Sequence, residues 1–116
     1  MTLPRAGTAE GQAGLAAILA GPARALIAAD FDGTLSPIVA DPAAAWAAPG
    51  AADALARLSA AVGTVAIVTG RPAAEAVALG GFAGIGRLIV LGHYGSERWQ
   101  DGVLAADPAP AGVAVA

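Results

Sequence analysis

Two carboxylates, Asp30 and Asp32, stand directly behind a short apolar run at positions 26–29, and Gly33 and Thr34 follow them. This order predicts a buried strand whose C-terminal end delivers both carboxylates into a crevice, where open α/β sheets bind ligands. One carboxylate can attack a phosphate monoester while its neighbour acts as acid and then as base, provided that Mg²⁺ offsets the negative charge. Gly33 lets the backbone approach the phosphate closely. An isolated pair of this spacing more often caps a turn, but the strand before it and Gly-Thr behind it favour phosphoryl transfer through an aspartyl-phosphate.

A second polar group follows the next apolar run, at positions 64–68. Thr69 ends that run and precedes Gly70 and a predicted helix start, where a hydroxyl and backbone N–H groups can hold an anion. A plain helix cap is the alternative, since threonine serves that role equally well. Because Asp30 ends a neighbouring strand, the phosphate site is favoured. Arg71 either contacts the substrate or pairs with a surface carboxylate.

A third set of residues follows the third apolar run, namely His93, Tyr94, Gly95 and Glu97. All four are expected at the same sheet edge as the two carboxylates. The residues alone leave His93 and Glu97 open to a simpler interpretation, as a structural histidine and a surface charge on a hairpin. The two tryptophans are expected to pack, Trp99 in the hairpin and Trp46 as the anchor of a loop.

Three apolar segments alternate with helical patterns, and Gly or Pro bounds each of them. The predicted strands are 25–29, 64–68 and 87–91. The predicted helices begin after Thr8, span 51–62, and start at Pro72 in the first helical position; a hairpin at 97–105 turns at Asp101-Gly102. This alternation predicts an α/β fold with a parallel sheet and right-handed crossovers. An all-helical bundle is the alternative, and the Gly and Pro residues at the strand boundaries argue against it.

The composition narrows the class of protein further. The chain has 116 residues, a net charge of −3 and no cysteine, so we expect one domain without disulfides or thiolate metal sites. All six basic residues are arginines without a basic cluster, which argues against nucleic-acid binding. No signal peptide and no apolar span of about 18 residues is evident, which predicts a cytoplasmic protein that does not interact with a membrane. Much of the 57% hydrophobic content is alanine, so the core should be thin.

Three motifs together indicate a family. In their order and spacing, DFDGTLSPIV, IVTGRP and LGHYGSERW resemble the haloacid dehalogenase superfamily of phosphatases, and within it the trehalose-6-phosphate phosphatases. The resemblance covers residues 25–105. It implies a three-layer α/β/α Rossmann-like core with a parallel sheet. It also implies a partial phosphatase core at 23–105, preceded by a helical segment at 1–22 and followed by a flexible tail at 106–116.

The resemblance also implies roles for individual residues. Asp30 would be the nucleophile and Asp32 the general acid and base, and the Asp30 carboxylate and the Asp32 carbonyl would hold Mg²⁺. Thr69 and Gly70 would bind the phosphoryl group. Three further residues match family positions near the substrate, namely Arg71, His93 and Glu97.

The chain also departs from the family pattern. It has no lysine to steady the nucleophile, no acidic Gly-Asp-Asp motif after Asp101, and no cap domain, so it resembles the front part of a longer enzyme. We therefore expect a Mg²⁺-dependent phosphatase of trehalose 6-phosphate that is truncated and inactive by itself. The alternatives are a phosphatase of another sugar phosphate, or a catalytically silent fragment or binding piece. We also expect self-association through the exposed first strand.

Overall fold

The computed structural model describes residues 5–108, which include three α-helices and five β-strands. In chain order these are α1 (Ala9–Ala20), β1 (Leu26–Ala29), α2 (Ala51–Ala61), β2 (Thr64–Val68), α3 (Ala73–Gly80), β3 (Ile89–Gly92), β4 (Glu97–Gln100) and β5 (Val103–Ala106). Most of the predicted flexible tail, from residue 109 onward, lies outside the described residues. Within the described part of the chain, no helix has the length and hydropathy needed to cross a membrane.

The five strands form one sheet in which every strand pairs with its neighbours in the chain, in the order β1-β2-β3-β4-β5. The first three strands are parallel, with Ile27 beside Val65 and Ala66 beside Ile89. The last two run antiparallel, as the predicted hairpin. The structure therefore confirms the α/β class and the parallel arrangement of the three predicted strands, and the predicted hairpin extends the same sheet on the β3 side.

The core lies on one face of this sheet. Side chains of β2 alternate, so that Val65 and Ile67 are fully buried in a cluster that also contains Leu55 of α2 and Val77 of α3. On the opposite face of β1 and β2, Leu26 and Val68 are 63% and 41% exposed. α1 has no buried residue. Residues 5–108 therefore form two of the three expected layers, namely the sheet and the helical layer of α2 and α3.

Local sequence signals account for most element boundaries. The Thr8 hydroxyl accepts a hydrogen bond from the Gly11 N–H at 3.0 Å and so begins α1 as predicted. β2 has the predicted bounds. Pro72 stands one position earlier than predicted, as the residue before α3 rather than its first residue. β4 and β5 are joined by Asp101 and Gly102, whose φ angles of +50° and +80° are those that a tight hairpin turn of this kind requires.

The two tryptophans differ in burial. Trp99 on β4 is buried in the core cluster, as expected of the hairpin. The expectation for Trp46 is wrong, because its side chain is 62% exposed. The loop is held instead by its neighbour Ala45, which is buried and whose carbonyl accepts a hydrogen bond from the Ser36 hydroxyl at 3.1 Å. A small residue fills this site because the hydrogen bond draws the backbone close to the core.

Candidate active site

Several predicted site residues line one open crevice of about 470 Å³ at the carboxyl ends of β1 and β2. They come together because the parallel register places Ala29, the last residue of β1, beside Ile67 near the end of β2. The lining residues are Asp30, Asp32, Pro42, Thr69, Gly70, Arg71 and Tyr94. The remaining predicted site residues, Gly33, His93 and Glu97, are not part of this lining. The structure thus brings together the two carboxylates, the threonine and the arginine.

The loop after β1 is a compact turn around Phe31, whose side chain is fully buried. The Phe31 carbonyl accepts hydrogen bonds from the N–H groups of residues 34–36, at 2.9 to 3.2 Å. Gly33 has a φ of +80°, and its N–H donates to the Ser36 carbonyl at 2.7 Å. Glycine suits this position because side chains rarely adopt a positive φ. In this structure Gly33 therefore shapes the turn that carries the carboxylates, whereas its predicted contact with phosphate stays a prediction.

Asp30 and Asp32 have different partners on the two sides of Phe31. The Oδ1 atom of Asp30 accepts a hydrogen bond from the Phe31 N–H at 2.8 Å. The Asp32 carboxylate is held in a bidentate pair by Arg71, with Nη2–Oδ1 at 2.8 Å and Nε–Oδ2 at 2.9 Å. Two parallel N–H···O bonds make this a geometrically specific pair. The hydrogen bonds from Arg71, helped by its charge and opposed by partial burial, lower the pKa of Asp32 below its ordinary 3.8.

Arg71 links three elements of the site. Besides Asp32, its Nη1 atom pairs with the Glu75 Oε1 atom at 2.8 Å on the first turns of α3. Its guanidinium carbon also lies 5.8 Å from the centre of the Phe31 ring, within the range of a cation–π contact. Of the two interpretations of Arg71, carboxylate pairing is the one seen, but inside the crevice rather than on the outer surface. A contact with substrate stays a prediction.

The turn from β2 to α3 places Thr69 at the floor of the crevice, where it is nearly fully buried. Its hydroxyl oxygen accepts a hydrogen bond from the Arg71 N–H at 3.1 Å. A hydroxyl that accepts one hydrogen bond still has its own proton to donate, so this geometry is compatible with both the cap and an anion contact. The backbone of Thr69 is tied to β3 by a hydrogen bond from its N–H to the Leu91 carbonyl, and to the turn after β3 by one from the Tyr94 N–H to its carbonyl, each of 2.9 Å.

Glu97 contacts the start of α3. Its Oε1 atom accepts a hydrogen bond from the Ala73 N–H at 2.9 Å, and His93 Nε2 lies 3.7 Å from the same oxygen. Pro72 carries no side-chain group that could cap the helix, so Glu97 from β4 supplies the acceptor that the helix terminus needs. Glu97 is therefore neither a free surface charge nor a lining residue. Its predicted substrate contact and that of His93 stay predictions.

Sequence reasoning missed two features of this edge. One is the cap that Glu97 provides from a distant strand, for which the signal is a helix that begins after proline without a capping side chain of its own. The other is that Tyr94, which the sequence places at this edge, also lines the crevice. No sequence signal shows this, because it depends on the positive φ angles of His93, Tyr94 and Gly95, of +47°, +56° and +101°.

The carboxylate oxygens in the crevice are ligands of the type that hard cations prefer. Asp30 and Asp32 offer only oxygen ligands, which Mg²⁺ prefers, but Mg²⁺ takes six of them in octahedral geometry. Within residues 5–108, no three His, Asp or Glu side chains converge as a metal-binding group. The residues present therefore fit Mg²⁺ as a partial site completed by water or phosphate oxygens.

The fold and the carboxylate crevice together indicate the broad class of protein to which the chain belongs. Over 72% of its length the chain superposes on a haloacid dehalogenase-like hydrolase from Bacteroides thetaiotaomicron, with a TM-score of 0.51, 18% identity and 31% of that structure covered. At this identity the likeness shows the haloacid dehalogenase-like fold. The family comes from the sequence: residues 28–102 match the trehalose-phosphatase family model, and the chain belongs to this family.

Individual relatives agree with this assignment. A trehalose-phosphate phosphatase from Mycobacterium tuberculosis is 52% identical over 56 residues, which is 48% of this chain and 14% of that protein. The C-terminal domain of the trehalose-6-phosphate phosphatase from Candida albicans superposes with a TM-score of 0.61 and 28% identity, covering 73% of this chain and 29% of that structure. The chain thus spans a small part of the relatives that it matches.

Proposed function

We propose that this chain carries the nucleophile and the phosphate-binding side of a Mg²⁺-dependent phosphatase that hydrolyses trehalose 6-phosphate to trehalose and phosphate. The observation that carries the proposal is the convergence of Asp30, Asp32 and Thr69 in one crevice at the ends of neighbouring strands. Membership of the trehalose-phosphatase family supports the reaction class. The names of the relatives support the substrate. The rival substrate is another sugar phosphate.

In the proposed reaction, Asp30 attacks phosphorus and the bond from phosphorus to the sugar oxygen breaks. Oδ1 of Asp30 is engaged by the Phe31 N–H, so Oδ2 is the atom suited to attack. Asp32 gives a proton to the departing sugar oxygen, and later takes one from the water that hydrolyses the aspartyl-phosphate. The products are the free sugar, with its hydroxyl group restored, and phosphate, and Asp30 is regenerated.

The pairing of Arg71 with Asp32 affects how readily Asp32 can carry the proton that it donates to the sugar oxygen. The bidentate pair with Arg71 lowers the pKa of the Asp32 carboxyl, so the paired carboxylate holds the proton that it must donate less readily than a free carboxylate would. A phosphate ester in the crevice competes for the same guanidinium, because arginine pairs with phosphate as well as with carboxylate. We expect substrate to draw Arg71 from Asp32, which raises the pKa of Asp32 toward its ordinary value as the acid becomes needed.

The metal would be held by the Asp30 carboxylate and the Asp32 backbone carbonyl. When bound, Mg²⁺ offsets the charge of nucleophile and phosphate. Because two protein ligands are few, we expect weak binding that phosphate strengthens. Calorimetric titration of the chain with MgCl₂ tests this, and micromolar affinity without a phosphate analogue would contradict it.

The nucleophile can be tested without turnover, by the adduct that beryllofluoride forms on an activated aspartate. With MgCl₂ present, we expect a ¹⁹F NMR signal of bound beryllofluoride in the wild-type chain and its loss in Asp30→Asn. Asp41→Asn is the matched control, because Asp41 does not itself line the crevice and asparagine can cap the turn at 42–44 equally well. The assignment of Asp30 fails if no adduct forms, or if the adduct survives in Asp30→Asn.

A second candidate is a phosphate-binding segment that does not turn over, and the composition favours it for these 116 residues alone. The chain has no lysine, and the crevice has no third acidic group within the described residues. Loss of such electrostatic partners typically costs on the order of 10²–10³ in rate for each group. Trehalose release from trehalose 6-phosphate measures this. Turnover at ordinary enzyme rates that Asp30→Asn abolishes would reject the silent segment and support the active phosphatase.

A further inference from the structure

Tyr94 is the exposed aromatic side chain of the crevice. It lines the same space as Asp30 and Asp32, and 88% of its surface is accessible. Its ring lies directly over Gly70, since a Cβ atom built on Gly70 would come within 2.6 Å of the Cζ and Oη atoms. The ring therefore stands beside the Thr69–Gly70 turn as one wall of the crevice, with one side on the backbone and the rest open to solvent.

The backbone under this ring adopts an unfavourable conformation. Tyr94 has φ +56° and ψ +31°, and His93 before it also has a positive φ. Left-handed geometry is unfavourable for a bulky residue, and residues in such conformations cluster at ligand sites. Burial of the side chain does not offset the cost here, because the ring is exposed. Two hydrogen bonds of 2.9 Å hold the conformation, from Tyr94 N–H to the Thr69 carbonyl and from His93 N–H to the Arg71 carbonyl.

From these observations we propose that Tyr94 is the platform on which the sugar of the phosphate ester stacks, and hence a residue that determines specificity. This inference rests on the proposed function, which places phosphorus between Asp30 and Thr69. The crevice of about 470 Å³ is much larger than a phosphate group and is in the range of small-molecule sites. A sugar bonded to that phosphate projects toward the mouth, where Tyr94 stands.

The chemistry of the two surfaces matches. A pyranose ring presents C–H groups of slight positive polarity on its faces, and the face of an aromatic ring is slightly negative. The tyrosine hydroxyl adds a group that can donate to or accept from a sugar hydroxyl. Apart from Pro42, the other lining residues are charged or small, so Tyr94 supplies the aromatic face of the site.

The test compares ligands that share the phosphate and differ in the sugar. Dissociation constants for inorganic phosphate, glucose 6-phosphate and trehalose 6-phosphate are measured with MgCl₂ from the amide signals of Thr69 and Gly70 by NMR. Tyr94→Asn removes the ring and keeps a residue that tolerates the left-handed backbone. We expect it to weaken binding of both sugar phosphates by about three- to tenfold and to leave phosphate binding unchanged. Tyr94→Phe should restore most of the difference.

Each outcome decides the inference. Trp46→Asn serves as the control, because Trp46 is also exposed and does not line the crevice, and it should change no affinity. Equal weakening of phosphate and sugar phosphate in Tyr94→Asn would mean that the ring only supports the Gly70 turn, which overturns the proposal. Phosphate binding with no preference for sugar phosphate in the wild type would overturn it as well, while leaving the proposed function intact. Binding of neither ligand would overturn both.

Discussion

The two sides of the crevice are built in different ways. The side with Asp30 and Asp32 is a local turn after β1, a strand whose only partner within residues 5–108 is β2. The side with Thr69 is held by hydrogen bonds of 2.9 Å to residues far along the sequence, namely Leu91, Tyr94 and Glu97. The nucleophile side is therefore held by a local turn, one buried ring and the single long-range pair of Asp32 with Arg71, and the phosphate side by a network between two loops.

This difference indicates where each side is vulnerable. On the nucleophile side, removal of the Phe31 anchor or of the Arg71–Asp32 pair should loosen the carboxylates while β2, β3 and the hairpin stay paired. On the phosphate side, a change in either loop should disturb both, because the loops share their hydrogen bonds.

The largest effect is expected at Phe31, which is fully buried and packs edge-to-face on Phe82 with ring centres 6.1 Å apart. Phe31→Ala should lower the free energy of unfolding by about 3–5 kcal/mol, because a large cavity is left. If that variant does not fold, Phe31→Leu should still fold and lose roughly 1 kcal/mol. Urea unfolding followed by tryptophan fluorescence measures both, and a Phe31→Ala loss below ~1 kcal/mol would show that the ring is not the anchor.

Next comes Gly92, where the two loops of the phosphate side approach most closely. A Cβ atom there would lie 2.3 Å from the backbone nitrogen of Ala73, so either the strand or the helix must move. Gly92→Ala should cost about 1–3 kcal/mol and shift the amide signals of both loops. Gly84→Ala is the matched control, because its Cβ meets nothing within 4 Å. Similar melting temperatures for the two variants would refute the close approach.

Glu97 should give a smaller effect, as the side-chain cap of α3. Glu97→Ala removes the acceptor for the Ala73 N–H and should cost about 0.5–2 kcal/mol. Glu97→Gln keeps an acceptor and loses only the charge at the helix terminus, worth about 0.3–1 kcal/mol. Thermal unfolding of the pair separates the hydrogen bond from the charge. Equal losses in both variants would mean that charge alone matters.

The Arg71–Asp32 pair should contribute less, below about 1 kcal/mol, because the Asp32 side chain is 41% exposed and the pair is screened by water. The pKa of the Asp32 carboxyl is lower in the folded chain than in the unfolded chain. The stability that the pair contributes is therefore fully present above the ordinary pKa of 3.8 and is lost as the pH falls through the pKa of the folded state. The ¹³C shift of the Asp32 carboxyl between pH 2 and 6 measures this pKa. Arg71→Gln should raise it and Arg98→Gln should not; no difference between them would contradict the pair.

Self-association through the edge of β1 is the weakest effect expected. Leu26 is exposed, and the outer edge of β1 has no strand partner within the described residues, so a second copy can pair there. Sedimentation at increasing concentration should show reversible association that Leu26→Lys reduces. Val103→Lys makes the same change on β5, the opposite edge. If only Val103→Lys reduces association, the predicted edge is wrong.

The local parts of the fold were predictable because their signals are local. An apolar run between Gly63 and Thr69 defines β2, Asp101-Gly102 defines the hairpin turn, and Thr8 begins α1. The convergence of Asp30 with Thr69 also followed from sequence, because parallel strands end at one edge.

Contacts between residues that lie far apart in the sequence could not be predicted from the sequence. The Arg71–Asp32 pair and the Glu97 cap join residues 39 and 24 positions apart, and no periodic pattern records such a pair. The exposure of Trp46 was missed for a related reason. Whether a loop side chain turns inward depends on the backbone path, which here is fixed by the hydrogen bond from Ser36 to Ala45.

The strictly sequential strand order has a consequence for how the sheet opens. Gln100 pairs with Val103 across a two-residue turn, whereas Leu26 pairs with Thr64 across a long segment that includes α2. Closing a longer segment costs more chain entropy, so β1 docks last and detaches first. We expect amide hydrogen exchange to be fastest in β1 among the parallel strands, with β2 and β3 still protected. Opening of this kind would carry Asp30 away from Thr69 while the phosphate-binding turn remains assembled.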